Sequence, residues 1–157
     1  MAEEIERKFL VNGEAYRHEA SGSSRIAQGY LWSAPGHTVR VRVRGDRGFL
    51  TIKGPGSEDG TSRFEWEKEI SADDARSLLK LCGNGIIDKT RWLVDFGAHT
   101  FHVDEFHGDN EGLVVAELEL SSAAEPYERP AWLREEVTGD KKYYNSALSA
   151  CPFKDWK

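Results

Sequence analysis

Cysteine is scarce: Cys82 and Cys151 are the only two in 157 residues. They stand far apart, so no ligand-spaced pair exists for a Cys-based zinc site, and a reduced, cytoplasmic protein is the expectation. Long apolar runs are lacking. None approaches the roughly 18 residues of a transmembrane helix, so no membrane partner is predicted. The opening Met1-Ala2-Glu3-Glu4-Ile5-Glu6 is acidic and lacks the basic-then-apolar layout of a signal peptide. Positive charge is in deficit as well: 21 Lys and Arg stand against 27 Asp and Glu, a net charge of −6, with a pI near 5.4. Proteins that grip nucleic acid over a broad surface are basic, so DNA is excluded as a partner, and any polyanion must meet a local cluster of cations. Internal repeats and low-complexity segments are also missing, and the length suits one domain spanning 1–157.

What is present is punctuation and alternation. Gly and Pro break the chain at Ser33-Ala34-Pro35-Gly36, Gly54 to Gly60, Gly83-Asn84-Gly85 and His107 to Gly112. Between the breaks lie short period-two segments rich in Val, Ile, Phe and Trp, which predict antiparallel strands near 3–11, 25–32, 38–45, 48–53, 63–70, 86–94, 99–106 and 113–121. Helices are predicted over 71–81, which opens with a capping Ser71 and early acids, and from about Asp140 through Leu148, with a further turn near Gly13 to Glu19. Eight strands and few helices give a mainly β (α+β) fold. An eight-stranded antiparallel barrel is predicted, because closure removes exposed edges.

One face of these strands is ionised. Glu4, Glu6 and Lys8 alternate with Ile5 and Phe9; Arg40, Arg42 and Arg44 with Val39, Val41 and Val43; Thr51 and Lys53 with Leu50 and Ile52. Arg63, Glu65, Glu67 and Glu69 are in phase, as are Lys89 with Arg91 and Glu117 with Glu119, and Asp104 follows Val103. A solvated face explains alternation in any one strand. Full charges on seven strands, with like charges consecutive, demand compensation by opposite charges across the barrel, by metal or by a bound anion. With the charged faces inward, eight acids and eight bases line one water-filled tunnel. Arg and Lys suit phosphate oxygens, and clustered carboxylates without sulfur suit Mg²⁺ or Mn²⁺. Together they point to metal-assisted phosphoryl chemistry.

Glu4-Ile5-Glu6-Arg7-Lys8 also forms an ExExK signature. Behind it, in order, come Gln28-Gly29-Tyr30-Leu31, Arg40-Val41-Arg42, Leu50-Thr51-Ile52-Lys53, Glu65-Trp66-Glu67, Lys89-Thr90-Arg91, Val103-Asp104-Glu105-Phe106, Ala116 to Leu120 and Glu136 through Asn145. Over nearly its whole length the chain resembles the CYTH domain, the triphosphate tunnel metalloenzymes. The resemblance implies an antiparallel tunnel that hydrolyses or cyclises a triphosphate with Mg²⁺ or Mn²⁺. It implies that Glu4, Glu6, Glu117 and Glu119 hold the metal, that Lys8, Arg40, Arg42, Lys53, Lys89 and Arg91 clamp the triphosphate, and that Glu65, Glu67 and Asp104 serve a second metal or orient the cations. Lys142 falls in the closing motif, where the family often has Arg, and is a further substrate contact. Phe101-His102 stands where bacterial relatives carry Trp-Glu.

The activity expected is hydrolysis of inorganic tripolyphosphate to pyrophosphate and phosphate. Glu4, Glu6, Lys8, Lys89 and Glu67 form the catalytic set; a second metal or a carboxylate such as Glu67 or Glu119 activates water. ATP cyclisation to cyclic AMP, thiamine triphosphate hydrolysis, nucleoside or RNA triphosphatase activity and non-catalytic polyphosphate binding are the alternatives. A monomer or homodimer is expected. Arg44, Glu69 and Arg63 are expected as rim charges, His102 as a surface or rim histidine, and the five tryptophans as packing residues.

Overall fold

Tight turns at Pro35-Gly36, Gly45-Asp46 and Gly97-Ala98 fold the alternating segments back on themselves, and each hairpin pairs with its neighbour. The computed structural model describes residues 3–83 and 85–156; Met1, Ala2, Asn84 and Lys157 lie outside that range. The elements are β1 (Glu3–Val11), α1 (Tyr16–Glu19), β2 (Gly22–Ala34), β3 (His37–Arg44), β4 (Arg47–Gly56), β5 (Ser62–Ser71), α2 (Ala72–Leu79), β6 (Ile87–Phe96), β7 (His99–Phe106), β8 (Val114–Glu119), β9 (Leu133–Glu136) and α3 (Asn145–Ala150).

The strands run in the order β5-β4-β3-β2-β6-β7-β8-β1-β9, and a β5–β1 pairing closes the first eight into an antiparallel barrel. That seam is short: Glu3, Glu4 and Ile5 pair with Phe64, Arg63 and Ser62. Further along the same edge of β1, β9 takes over at Phe9 and Val11. Thr138 Oγ1 accepts from the Lys8 amide at 2.9 Å there. β1 thus shares one edge between two partners, while the edge of β5 turned away from β4, from Glu65 to Ser71, has no strand partner among the described residues.

β1 and β7 match the expected bounds; β2 starts earlier, at Gly22, and ends later, at Ala34. β9 is unanticipated, because Leu133-Arg134-Glu135-Glu136 has no alternation and pairs only with a strand more than 100 residues away. The expected C-terminal helix is interrupted. A 3-10 turn over Lys141–Tyr143 is capped by the Asp140 carboxylate, Tyr144 is extended at φ −68° and ψ 138°, and only then does α3 begin.

The apolar core lies outside the barrel. Phe9, Phe101, Val103, Ala116 and Leu118 point outward and pack under Tyr16, Trp132 and Leu133, which α1 and the segment before β9 lay over the wall. Each fully buried Phe, Val or Leu among them contributes about 1.5–3 kcal/mol. A second cluster, with Ile87, Phe106, Val115, Tyr143 and Leu148, stoppers one end of the barrel. On the opposite wall α2 lies on bare backbone: a Cβ on Gly48 would come within 2.6 Å of Ala75 Cβ. Ser71 caps α2 by accepting from the Asp74 amide at 3.0 Å. Not all tryptophans pack. Trp32 is 56% exposed and Trp66 42% on the outer face of β2 and β5, a correction to the sequence expectation. Among the described residues no helix is long and apolar enough to cross a membrane.

Candidate active site

The inward face is the ionised one. Glu6, Lys8, Tyr30, Thr38, Arg40, Arg42, Lys53, Arg63, Lys89, Glu117, Tyr144, Asn145 and Ser146 surround a cavity of about 40 Å³, room for a few waters. The space is small because the charges reach across it to one another. Lys8 Nζ sits 2.6 Å from Glu117 and 3.4 Å from Glu6. Lys53 Nζ sits 2.8 Å from Glu4 and 3.7 Å from Glu65. Arg91 grips Asp104 through two bonds of 2.8 and 2.9 Å and reaches Glu117 at 2.8 Å. Lys89 Nζ donates to Asn145 at 3.0 Å and lies 2.8 Å from Asp104. The like-charge repulsion legible in the sequence is therefore answered largely by pairing between neighbouring strands on the inner face.

Two zones escape that pairing. The first is cationic. Arg42 is 8% exposed and donates to the neutral Gln28 Oε1 at 2.8 Å. Burial, with Arg40 and Arg91 as like-charged neighbours, drives its pKa well below the ordinary guanidinium value. Arg40 bonds Thr51 at 3.1 Å and lies 3.6 Å from Glu67, while its Nε is buried without a partner. Burial also brings Lys89 down to about 7, with Arg91 and Arg42 assisting and Asp104 resisting.

The second zone is anionic. Glu6 of β1 and Glu119 of β8 face each other in register, the arrangement that costs stability between adjacent strands. Burial raises the pKa of Glu6, and Glu117 and Glu4 push the same way against Lys8. Glu119 is raised by burial and by Glu4 and Glu6; Glu4 is raised by burial against the pull of Lys53. Glu117 goes the other way: burial opposes its charge, but Lys8, Arg91 and Lys89 hold its pKa well below the carboxylate range. Among the described residues no three acidic, His or Cys side chains are drawn together as a finished metal site. The donors nevertheless suit a hard divalent cation, being oxygen-only and crowded, and among the described residues Glu119 has no ion pair to a cationic side chain.

Other sequence expectations are redistributed. Asp104 is buried and committed to Arg91 and Lys89, which hold its pKa low against burial. Glu67 accepts from Thr51 at 2.7 Å beside Arg40. Lys142 stands apart from the cavity lining, its Nζ 5.0 Å from the ring of Trp156. Arg63, expected as a rim charge, is half-buried at the edge of the cavity and lines it. His102 is not a surface residue: it is half-buried on the inward face opposite Glu117, and burial and Arg91 lower its pKa. Glu69 does sit at the rim, bonded to exposed Arg47 at 2.6 Å. Gln28, Thr51 and Asn145 escaped the search for charge. The first two share the inward phase of Arg42 and Lys53, which is a usable signal. Asn145 arrives from α3, and strand periodicity carries no hint of it.

The whole chain was then compared with known proteins. Residues 2–150 match the CYTH domain model. The chain belongs to the CYTH family. This CYTH protein is 44% identical over 158 residues to the inorganic triphosphatase of Acetivibrio thermocellus, across 100% of this chain and 99% of that one. It is 36% identical to the inorganic triphosphatase of Nitrosomonas europaea, across 93% and 96% of the two chains. The crystal structure of the inorganic triphosphatase NE1496 aligns at a TM-score of 0.64 with 32% identity, covering 95% of each chain. The CYTH assignment and the closed charged barrel agree with the fold expected from the sequence.

Proposed function

We propose that this protein hydrolyses inorganic tripolyphosphate to pyrophosphate and phosphate inside the barrel, with Mg²⁺ or Mn²⁺ as cofactor. The observation that carries the reading is Arg42, a buried guanidinium with cations on both sides and only an amide as partner. A buried charge left this way needs an anion, and a multivalent one matches the number of cations around it. The two relatives named inorganic triphosphatase support the choice of substrate.

Each side chain has a task. Arg40, Arg42 and Arg91 supply forked donors for phosphate oxygens, while Lys8, Lys53 and Lys89 supply point charges. Glu4, Glu6, Glu117 and Glu119 would hold the divalent cation, which supplies Lewis-acid stabilisation of charge on the phosphoryl oxygens. Bound phosphate would compete with Glu117 and Glu4 for Lys8 and Lys53, and so free these acids to help hold the divalent cation. Asp104 acts as a positioning residue, fixing Arg91 and Lys89. Thr51 fixes Glu67 beside Arg40, where its carboxylate orients the attacking water. Water adds to a terminal phosphorus, the bridging P–O bond breaks, and pyrophosphate leaves along the cation ring.

Phosphate release with Mg²⁺ or Mn²⁺, measured in parallel on tripolyphosphate, ATP, thiamine triphosphate and pyrophosphate, tests the proposal. Fast metal-dependent release from tripolyphosphate with little from the others is the expected result. Cyclic AMP from ATP, or tight tripolyphosphate binding without turnover, would overturn it.

A further inference from the structure

Arg63 holds an uncommitted guanidinium at the edge of the cavity. It sits on the closure seam, paired in register with Glu4. Lys8, Lys53, Lys89 and Arg91 all have carboxylate partners within 3 Å, but among the described residues Arg63 has no ion pair and no side-chain hydrogen bond, and its Nε is buried without a partner. What holds it is Tyr144, whose ring centroid lies 5.7 Å from the guanidinium carbon. Lys8 Nζ lies 5.9 Å from the same ring. The Tyr144 hydroxyl lies beside the close approach of the Gly60 and Gly139 backbones, where an added Cβ on Gly60 would come within 3.5 Å of it.

Beyond this pair lies a second recess of about 650 Å³, between the turns after β2 and β4 and the start of α3. Thr38, Arg63, Tyr144 and Ser146 line both spaces and so stand where the two adjoin. The recess differs in character, with Ala34, Pro35 and Pro55 in place of the ring of cations. A group that reaches from one space into the other passes Arg63 and Tyr144.

We propose that Arg63, backed by Tyr144, binds the end of the triphosphate chain that organic triphosphates carry esterified, and so separates inorganic tripolyphosphate, free at both ends, from triphosphates that carry an organic group. The inference rests on the triphosphatase reading above. A free terminal phosphate presents three non-bridging oxygens and the larger charge, which a guanidinium fork engages bidentately. A phosphate esterified at that end has one oxygen and one charge fewer, and its substituent has to pass Arg63 and Tyr144.

Kinetics on both substrate classes test this. Arg63→Ala is expected to lower kcat/KM for tripolyphosphate by about tenfold or more, in line with loss of charge-assisted bonds, while kcat/KM for ATP is unchanged or rises. Arg63→Lys, which keeps the charge and loses the fork, and Tyr144→Leu, which removes the support, move the ratio the same way by less. A parallel fall for both substrates, or an unchanged ratio, overturns the proposal. Circular dichroism shows whether each variant folds, and Arg63→Gln stands in for an unfolded Arg63→Ala. Calorimetric affinities for tripolyphosphate and ATP without metal give the same ratio independently of turnover. Absence of wild-type turnover would therefore sink the triphosphatase reading, and an unchanged affinity ratio would sink the role of Arg63.

Discussion

Lys8 and Glu117 face each other on neighbouring strands with Nζ 2.6 Å from the carboxylate, so a cation suited to phosphate holds an acid suited to metal. Glu6 and Glu117 keep the Lys8 ammonium charged, overcoming burial. The barrel is thus a set of temporary partners that a polyphosphate and a divalent cation can take over together.

That exchange makes the two ligands interdependent. Tripolyphosphate and Mg²⁺ added together should raise the melting temperature by more than the sum of their separate shifts, and sulfate should raise it much less. A ligand at a hundred times its Kd contributes about 2.7 kcal/mol. Scanning fluorimetry checks this, and purely additive shifts would speak against partner exchange.

Arg42 should trade stability for function. A buried charge without a counter-charge costs desolvation that an apolar side chain of similar length avoids. Arg42→Met is expected to raise the melting temperature of the ligand-free protein while weakening tripolyphosphate binding by at least about tenfold. Urea unfolding and calorimetry measure the two effects. A destabilised variant would mean that the bond to Gln28 outweighs the repulsion from Arg40 and Arg91.

Lys89 should take up a proton when substrate binds. Burial holds its pKa at about 7, and a polyanion alongside pushes it back up. At pH 8 calorimetry in buffers of different ionisation enthalpy is expected to report net uptake, smaller at pH 6, where the amine is already charged. Lys89→Arg keeps the charge and should abolish most of the uptake. Equal uptake in the variant would assign the proton to another group, such as His102.

The crowded carboxylates make the metal effect pH-dependent. Glu6 and Glu119 have folded pKa values above their unfolded ones, so the folded chain keeps protons that the unfolded chain releases, and their contribution to stability falls as pH rises from about 4.5 through the raised values. A divalent cation needs the ionised forms and relieves their repulsion. Mg²⁺ should therefore raise the melting temperature more at pH 8 than at pH 5, and Glu6→Gln should remove most of the difference. A pH-independent Mg²⁺ shift would place the cation elsewhere.

Much of the fold was legible because alternation is a local property. Val39, Val41 and Val43 against Arg40, Arg42 and Arg44 define a strand and its two faces without reference to any other part of the chain. Residues whose role depends on contacts from elsewhere were not legible. Arg63 read as an end-of-strand charge, because only the seam with Glu4 and the arrival of Tyr144 bring it into the cavity. His102 read as a surface residue, because its neighbours Arg91 and Glu117 belong to other strands.

The amino-acid order alone settled which side chains share a face and that this face carries opposed charges in similar numbers, since period-two geometry is set by the backbone. It placed Glu4, Glu6 and Lys8 with the arginines of β3 on a common inner surface. Only the closed barrel decided who pairs with whom. Lys89 joins Asp104 and Asn145, Arg91 divides itself between Asp104 and Glu117, and Arg42 is left with an amide. These pairings join side chains on different elements, some across one hairpin and some, such as Lys89 with Asn145, far apart in sequence, and in a buried site of low dielectric, distances of an ångström or two decide which charges are satisfied and which remain available to a ligand.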